Sequence, residues 1–366
     1  MRDETKCIHA GYQPKNGEPK MVPIVQSTTY VFNSAKEVSD VFDEPTKALV
    51  YSRFANPTVM AVEQKIAELE GGVGAMCTSS GQMASLMAVL NLCKAGDSIV
   101  STSQIYGGTV NLFAVTLKKY GIETIFVDAY ADEAAISAAI QDNTKAIFGE
   151  TIANPALTVL DIEKFAKVAH AHGIPLIVDN TFATPVLCKP IEYGADIVIH
   201  STSKYMDGHA VQVGGVIVDS GNFDWTNGKF PDFTEPDESY HGIRYVQDYG
   251  KAAYIIKART QLMRDFGGYP AANSAFLLNL GLETLALRME RYCENAQKVA
   301  EFLETCGKVE KVIYPGLKSS RDYATAQNLA PVLAHGVPVI CCAKGIERGT
   351  ADFMSDVFAE ILPDNP

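Results

Sequence analysis

The segments 174–179 (IPLIVD) and 195–205 (ADIVIHSTSKY) decide the fold. Each begins with a short apolar run rich in β-branched residues, which predicts a buried strand, and each run ends in polar side chains. Asp179 ends the first run, and Lys204 follows the second among serine and threonine hydroxyls. Because open α/β sheets bind their ligands beyond the carboxyl ends of their strands, we expect both side chains at that edge.

The same pattern extends over residues 57–218, where β-branched runs alternate with helical periods. Such alternation is typical of strands joined by crossover helices, so we expect an α/β fold with a mainly parallel sheet covered by helices on both faces. Farther along, one continuous apolar stripe predicts a single long helix over 273–305. The predicted strands are 98–101, 123–127, 145–148, 175–178 and 196–199, and the predicted helices are 59–69, 82–93, 109–120 and 160–171.

Composition excludes several classes of protein. With 47% hydrophobic and 20% charged residues among 366, the chain is an ordinary globular sequence. Its 31 basic and 43 acidic residues leave a net charge of −12, which disfavours nucleic acid as a partner. No apolar stretch reaches the ~18 residues of a membrane span, so we expect no membrane association. The cysteines lack metal-ligand spacing and are expected to be free thiols in a reducing, cytoplasmic setting.

Three further segments join Asp179 and Lys204 as candidates for chemistry. Each has an ordinary explanation when taken alone: Asp179 as a helix cap, Lys204 as a solvated loop charge and Tyr106 as a packing residue. Together they describe a carboxylate for a ring nitrogen, an amine for a Schiff base, an aromatic ring for stacking and a helix start for a phosphate. The three segments are 51–58 (YSRFANPT), 79–82 (SSGQ) and 106–109 (YGGT).

These motifs resemble the Cys/Met-metabolism family of pyridoxal-phosphate enzymes. The runs YSRFANPT, SSGQMA, DNTFATP (179–185) and HSTSKY (200–205) are specific to that family, and the resemblance covers residues 5–328. It implies an aspartate-aminotransferase-like fold, known as fold type I, with pyridoxal 5'-phosphate as cofactor.

The resemblance also implies roles for single residues. Lys204 would form the Schiff base, Asp179 would keep the pyridine nitrogen protonated and Tyr106 would stack on the ring, with Lys204, Tyr106 and Tyr51 as the catalytic set. The active unit would be a homodimer within a homotetramer, in which Tyr51 and Arg53 reach the neighbouring subunit's phosphate site. The remaining cofactor-binding residues would be Gly81 and Gln82 through their N–H groups, Ser201 and Ser203 through their hydroxyls, and Asn154 and Thr181 near the ring substituents.

Two features indicate which reaction of the family to expect. The segment 230–245 (FPDFTEPDESYHGIRY) and Gly108 favour γ-replacement, in which sulfide or methanethiol displaces acetate from O-acetyl-L-homoserine. The alternatives are cystathionine γ-synthase or γ-lyase activity, or a cofactor-binding chain with impaired catalysis.

The predicted organisation has four parts. Residues 1–48 form an arm interrupted by glycine and proline, 49–248 a large cofactor-binding domain, and 249–328 the long helix and the start of a C-terminal domain. Residues 329–366 instead resemble a piece of NAD-dependent glycerol-3-phosphate dehydrogenase. We therefore expect the small domain of the family to be truncated or replaced, without its arginine for the substrate carboxylate.

Overall fold

The computed structural model describes residues 1–42 and 49–329, and its centre is a seven-stranded sheet. The strands are β1 Gly74–Thr78, β2 Ser98–Thr102, β3 Glu123–Val127, β4 Thr144–Glu150, β5 Leu176–Asp179, β6 Ile197–His200 and β7 Gly215–Asp219. Their order in the sheet is β1-β7-β6-β5-β4-β2-β3. Strands β2 to β6 pair in parallel, whereas β7 is antiparallel to both β1 and β6.

The predicted mainly parallel sheet is confirmed, and each predicted strand lies within one or two residues of an observed one. Helices cover the sheet, so its central strands are buried on both faces and read as continuous apolar runs. The helices are α1 Asp3–His9, α2 Ala35–Phe42, α3 Pro57–Glu70, α4 Gly81–Leu90, α5 Gly107–Asn111, α6 Glu133–Ala139, α7 Ile162–Ala171, α8 Thr184–Leu187, α9 Tyr245–Tyr249, α10 Ala253–Lys257, α11 Arg264–Phe266, α12 Ala272–Glu283, α13 Leu285–Thr305 and α14 Tyr323–Leu329.

The N-terminal arm contains more regular structure than its glycine and proline content predicts. Helices α1 and α2 both lie in it, and α1 packs against α3 of its own chain. Lys65 of α3 donates from Nζ to the carbonyl oxygen of Cys7 at 3.0 Å. Contacts between segments far apart in sequence therefore stabilise a seven-residue helix that would be marginal alone.

The single helix predicted over 273–305 is wrong in one respect, because the structure divides it into α12 and α13 at Thr284. Thr284 has φ −107° and ψ 4°, and its N–H reaches the carbonyl oxygen of Gly281 at 3.3 Å instead of continuing the α-helical ladder. The apolar stripe crosses this break without interruption, so hydrophobic periodicity alone could not reveal it.

An aromatic cluster fills the space beside β7, formed by Phe223, Trp225, Phe230, Phe233 and Tyr254. The Trp225 and Phe233 rings stack with centroids 4.3 Å apart. Phe230 and Phe233 belong to the segment 230–245, so this segment is packed into the core through its first residues.

The chain divides into two compact units, one over Met1–Met289 and one beginning at Glu290. The first contains the sheet; the described part of the second contains most of α13 and all of α14. The expected boundaries at 48/49, 248/249 and 328/329 stay predictions, and the expectations for 330–366 lie outside the described residues. None of the helices in the described ranges is long and apolar enough to cross a bilayer.

Candidate active site

The carboxyl ends of β5 and β6 are joined by a short chain of hydrogen bonds. Thr181 donates to Asp179 Oδ1 twice, from its hydroxyl at 2.5 Å and from its backbone N–H at 3.0 Å. The same hydroxyl oxygen accepts from the backbone N–H of Ser201 at 2.8 Å. Desolvation raises the pKa of the Asp179 carboxyl, and the two Thr181 hydrogen bonds oppose that rise. The structure thus brings Asp179, Thr181 and Ser201 together at this edge of the sheet.

A second carboxylate, which our sequence analysis missed, lies beside Asp179. Glu150 ends β4 and pairs in register with Asp179 across the parallel ladder. It is 7% exposed, and desolvation, followed by the charge of Asp179, raises its pKa well above the ordinary value. Glu150 accepts from the backbone N–H of Tyr106 at 3.1 Å and from that of Asn154 at 3.0 Å. It thus holds two of the predicted site residues at the edge of the sheet.

The start of α4 closes the other side of this edge. Ser80 caps the helix, its hydroxyl accepting from the Met83 N–H at 3.1 Å. Gly81 lies so close to β6 that a Cβ on it would come within 2.6 Å of the Ser201 Cβ. The first N–H groups of a helix have no intrahelical partner, so this end of α4 can bind an anion.

Tyr106 and Gln82 meet at Gly108. A Cβ on Gly108 would come within 2.5 Å of Gln82 Nε2 and of the Tyr106 ring, so a larger residue there would force one of them to move. Tyr106 is 48% exposed and its backbone is fixed by Glu150. The aromatic ring therefore stands at the edge of the site with one side accessible.

A buried polar network supports the strand ends. His200 Nε2 and Glu70 Oε1 lie 2.6 Å apart, and both side chains are fully buried. Asn180 donates to the same Glu70 oxygen at 3.0 Å and accepts from the Thr151 hydroxyl at 2.8 Å. Because Thr151, Asn180 and His200 each adjoin a site residue or end a site strand, this network fixes the register of β4, β5 and β6 at the site.

Lys204 lies in the turn that follows β6 and is exposed. Its N–H donates to the carbonyl oxygen of Ser201 at 3.2 Å, and its carbonyl oxygen accepts from the Gly208 N–H at 2.8 Å. Ser203 is fixed in the same turn, donating to the Gly214 carbonyl at 3.2 Å and accepting from its N–H at 2.9 Å.

Tyr51 and Arg53 lie on a separate segment. The Arg53 guanidinium stacks on the Tyr51 ring at 4.9 Å, and Tyr51 is 38% exposed. The next residue, Phe54, is held through its carbonyl oxygen by Arg259 at 2.9 Å, and its ring stacks on that of Tyr240. The described contacts do not join Tyr51 or Arg53 to Asp179, Thr181 or Ser201.

The residues at this edge fit pyridoxal phosphate. Asp179 has one oxygen engaged by Thr181, which leaves the other to face a ring nitrogen. The close packing of Gly81 on Ser201 brings the α4 N-terminus and the Ser201 hydroxyl into one anion-binding corner. Lys204 supplies an amine, and the described residues hold no group of side chains suited to a metal ion.

A parallel sheet with these groups at its carboxyl edge defines a pyridoxal-phosphate-dependent enzyme of fold type I. The family model described as Cys/Met metabolism PLP-dependent enzyme matches residues 4–337. The chain belongs to this family. The match extends beyond residue 328, where we expected the resemblance to end.

Named relatives and solved structures agree with this membership. The chain is 44% identical over 336 residues to the O-acetyl-L-homoserine sulfhydrylase of Leptospira meyeri, covering 89% of this chain and 76% of the relative. It is 48% identical over 332 residues to the Corynebacterium glutamicum protein of the same name, with the same coverage. A Campylobacter jejuni crystal structure, named as an O-acetylhomoserine (thiol)-lyase with a pyridoxyl-lysine phosphate group, superposes with a TM-score of 0.87 at 35% identity. That superposition covers 90% of this chain and 82% of the other.

Proposed function

We propose that this chain catalyses γ-replacement on O-acetyl-L-homoserine, with sulfide as the incoming nucleophile and homocysteine and acetate as products. The observation that carries the proposal is the 44–48% identity to O-acetyl-L-homoserine sulfhydrylases over 89% of the chain. Methanethiol, which would give methionine, is the second sulfur donor to test.

Each predicted site residue has a role in this proposal. Bound pyridoxal phosphate would supply an electron sink for negative charge at the substrate Cα. Asp179 would hold the proton of the ring nitrogen, because a carboxylate next to a cationic nitrogen keeps both charged. Tyr106 would stack on the ring. The phosphate would be bound by N–H groups of Gly81 and Gln82 and by hydroxyls of Ser201 and Ser203, with Asn154 and Thr181 near the ring substituents.

Lys204 would move the protons. Its amine takes the Cα proton, and a second proton leaves Cβ as the bond between Cγ and the acetate oxygen breaks, so acetate departs with the electron pair. Hydrosulfide then forms the new C–S bond at Cγ, and protons return to Cβ and Cα. Acetate is exchanged for a thiol, and no oxidant or reductant is consumed.

The stacked pair of exposed Tyr51 and half-buried Arg53 supports the proposed homodimer within a homotetramer. An arginine already stacked on a tyrosine at the protein surface can bind a phosphate bidentately in a neighbouring subunit. A cytoplasmic location likewise remains a prediction.

The activity is tested with purified protein loaded with pyridoxal phosphate. We expect homocysteine from O-acetyl-L-homoserine and sulfide, a much slower reaction with cystathionine or methionine, and a loss of at least ~10³-fold in Lys204→Ala. Lys118→Ala is the matched control, because Lys118 is an exposed lysine on another helical segment. Faster turnover of cystathionine than of O-acetyl-L-homoserine would overturn the assignment.

The shared site is tested by mixing subunits. Arg53→Ala and Lys204→Ala are each expected to be nearly inactive. If Arg53 serves the neighbouring site, refolding the two variants together restores activity, because a mixed dimer contains one site with both native residues. A mixture as inactive as its components would rule out the sharing.

A further inference from the structure

The backbone that follows Lys204 is held by an arginine at the start of α13. Arg288 donates from Nη1 to the carbonyl oxygen of Tyr205 at 2.7 Å and from Nη2 to that of Met206 at 3.4 Å. Nη2 also donates to the carbonyl oxygen of Gly281 at 2.6 Å. Gly281 is the residue of α12 that lies against the same turn. One guanidinium thus bridges the lysine turn and the end of a helix.

The guanidinium is itself held in one orientation. Its Nε donates to the Thr284 hydroxyl at 3.0 Å, so all three nitrogens of the fork have partners. Thr284 is the residue at which the helix breaks, and the break brings α13 to the lysine turn at the position of Arg288. Because the planar guanidinium is already held in one orientation, it loses little further conformational entropy when it binds the turn. The contact therefore fixes the geometry of the turn as well as stabilising it.

Two glycines make room for the contact. Gly208 has φ +69°, and a Cβ there would come within 2.5 Å of the Arg288 Cζ. On the helix side, a Cβ on Gly281 would come within 2.6 Å of the Met206 carbonyl oxygen. Glycine weakens a helix relative to alanine, so the close approach is the physical reason for this residue in α12.

The turn also has hydrogen bonds of its own. On its β6 side, Lys204 N–H donates to the Ser201 carbonyl and Asp207 N–H to that of Thr202, and Gly208 N–H donates to the Lys204 carbonyl. The far side, after Lys204, meets Arg288 and Gly281. Without the guanidinium, the carbonyls of Tyr205 and Met206 would lose a charged donor in a largely buried position.

We infer that Arg288 is a positioning residue for Lys204: it fixes the backbone after the lysine, so that the amine returns to one place between proton transfers. The inference rests on the proposed role of Lys204. It assigns Arg288 no contact with substrate or cofactor. Misplacement of a reacting group by even ~1 Å can cost about 100-fold in rate, which sets the scale of the expected effect.

The first test needs neither cofactor nor turnover. Amide hydrogen exchange is measured on the cofactor-free protein for wild type, Arg288→Lys and Arg288→Met. The matched control is Arg291→Met, which removes an arginine one turn along α13 whose side chain is 68% exposed. We expect at least ~10-fold faster exchange of the Asp207 and Gly208 amides in the Arg288 variants and no change in the control.

The second test uses the loaded enzyme. In Arg288→Lys, which keeps the charge but loses the fork, we expect kcat to fall ~10–100-fold, a change in KM below ~3-fold and a shifted pH midpoint of the visible absorbance of the lysine-bound cofactor. Tm and cofactor Kd are measured in parallel. A variant that loses only Tm, with wild-type kcat and pH midpoint, would show a merely structural role and overturn the inference.

The two tests separate this inference from the proposed function. Unchanged exchange at Asp207 and Gly208 would refute the contact whatever reaction the enzyme performs. Conversely, faster exchange together with a Lys204→Ala variant that keeps full activity would overturn the role of Lys204, and the positioning role with it. Gly281→Ala provides an independent variant, since its added methyl group pushes on the same turn while Arg288 is intact; wild-type kcat in that variant would also count against the inference.

Discussion

Two regions of the first unit bury ionisable groups in opposite ways. At the carboxyl edge of β4 and β5, Glu150 and Asp179 are neighbours of like charge, and both have raised pKa values. Beside the aromatic cluster, Asp219 accepts hydrogen bonds from the backbone N–H groups of Gly221 and Ile255, at 2.8 and 3.3 Å. Lys257 there donates to the Asn91 carbonyl at 3.1 Å and lies over the Phe233 ring at 5.2 Å.

The difference lies in what could neutralise the charge. The groups near the aromatic cluster are held by backbone groups away from the candidate site, so substituting them should change stability and little else. At the strand ends, the charge of Asp179 adds to desolvation in raising the pKa of Glu150, so a cation placed there would stabilise the charged carboxylates. A protonated ring nitrogen is such a cation. We therefore expect the first region to serve a ligand and the second to serve the fold.

The difference between the two regions is tested most directly by replacing one buried acid in each. Asp179→Asn should lower kcat/KM by about 10³-fold, because an amide does not keep the ring nitrogen protonated, while Tm at pH 7 changes little. Steady-state kinetics and thermal unfolding measure the two effects. The partner variant, Asp219→Asn, should keep at least half of the wild-type activity; equal losses in both variants would erase the distinction between the regions.

Glu150→Gln should have the next largest effect. Each oxygen of the Glu150 carboxylate accepts one backbone N–H. In the glutamine variant, the amide NH₂ would face one of these N–H donors and could not accept its hydrogen bond. We expect kcat/KM to fall by about 100-fold and the cofactor Kd to rise, measured by visible absorbance titration. Glu123→Gln, at an exposed position that begins β3, is the control. Wild-type kinetics in Glu150→Gln would mean that Tyr106 and Asn154 are held without it.

Asp219 should show its role in the pH dependence of stability. Burial raises its pKa to about 7, so between about pH 4 and 7 the folded state binds a proton that the unfolded chain has released. Stability therefore falls as pH rises through this window. Relative to Asp219→Asn, we expect wild type to lose about 3 kcal/mol from pH 4 to pH 7 in urea unfolding. A constant difference between the two proteins across that range would contradict the assignment.

Lys257 should give the smallest effect, with the opposite sign. Burial lowers its pKa to about 8, so between about pH 8 and 10.5 the unfolded chain holds a proton that the folded protein has lost. Stability contributed by this group rises with pH in that window. Relative to Lys257→Met, wild type should gain about 2 kcal/mol from pH 8 to pH 10, with activity at pH 8 unchanged in the variant. A falling difference would mean that the ammonium is stabilised in the core.

The strands and part of the candidate site could be predicted from the sequence, whereas the contrast between the two regions could not. Because parallel strands are buried on both faces, the apolar runs IPLIVD and ADIVIH could be identified as strands from their composition. The polar residues after them were therefore placed at the carboxyl edge of the sheet, where such folds bind ligands. Glu150 was missed, although it ends the run TKAIFGE just as Asp179 ends IPLIVD. A carboxylate at the end of each of two neighbouring strands was the available signal.

Other features depend on contacts that no local pattern contains. The contact of Arg288 with the lysine turn joins residues about eighty positions apart in the chain. The break at Thr284, which precedes Arg288, is likewise absent from the apolar pattern. The helix α1 depends on α3, which begins well beyond it in the chain. Periodicity describes one element at a time, and these features arise between elements.

The antiparallel pairing of β1 with β7 has a consequence during synthesis. Gly74 pairs with Asp219, so β1 leaves the ribosome long before its partner strand exists. At ~5–20 residues per second, an apolar strand edge stays unpaired for roughly 10 s or more. During that interval the nascent chain presents a template for β-aggregation, and α3, which packs on β1 and is translated just before it, is the element available to shield it. Substitutions that weaken α3 should therefore lower the yield of folded protein in cells more than they lower the stability of the protein once folded.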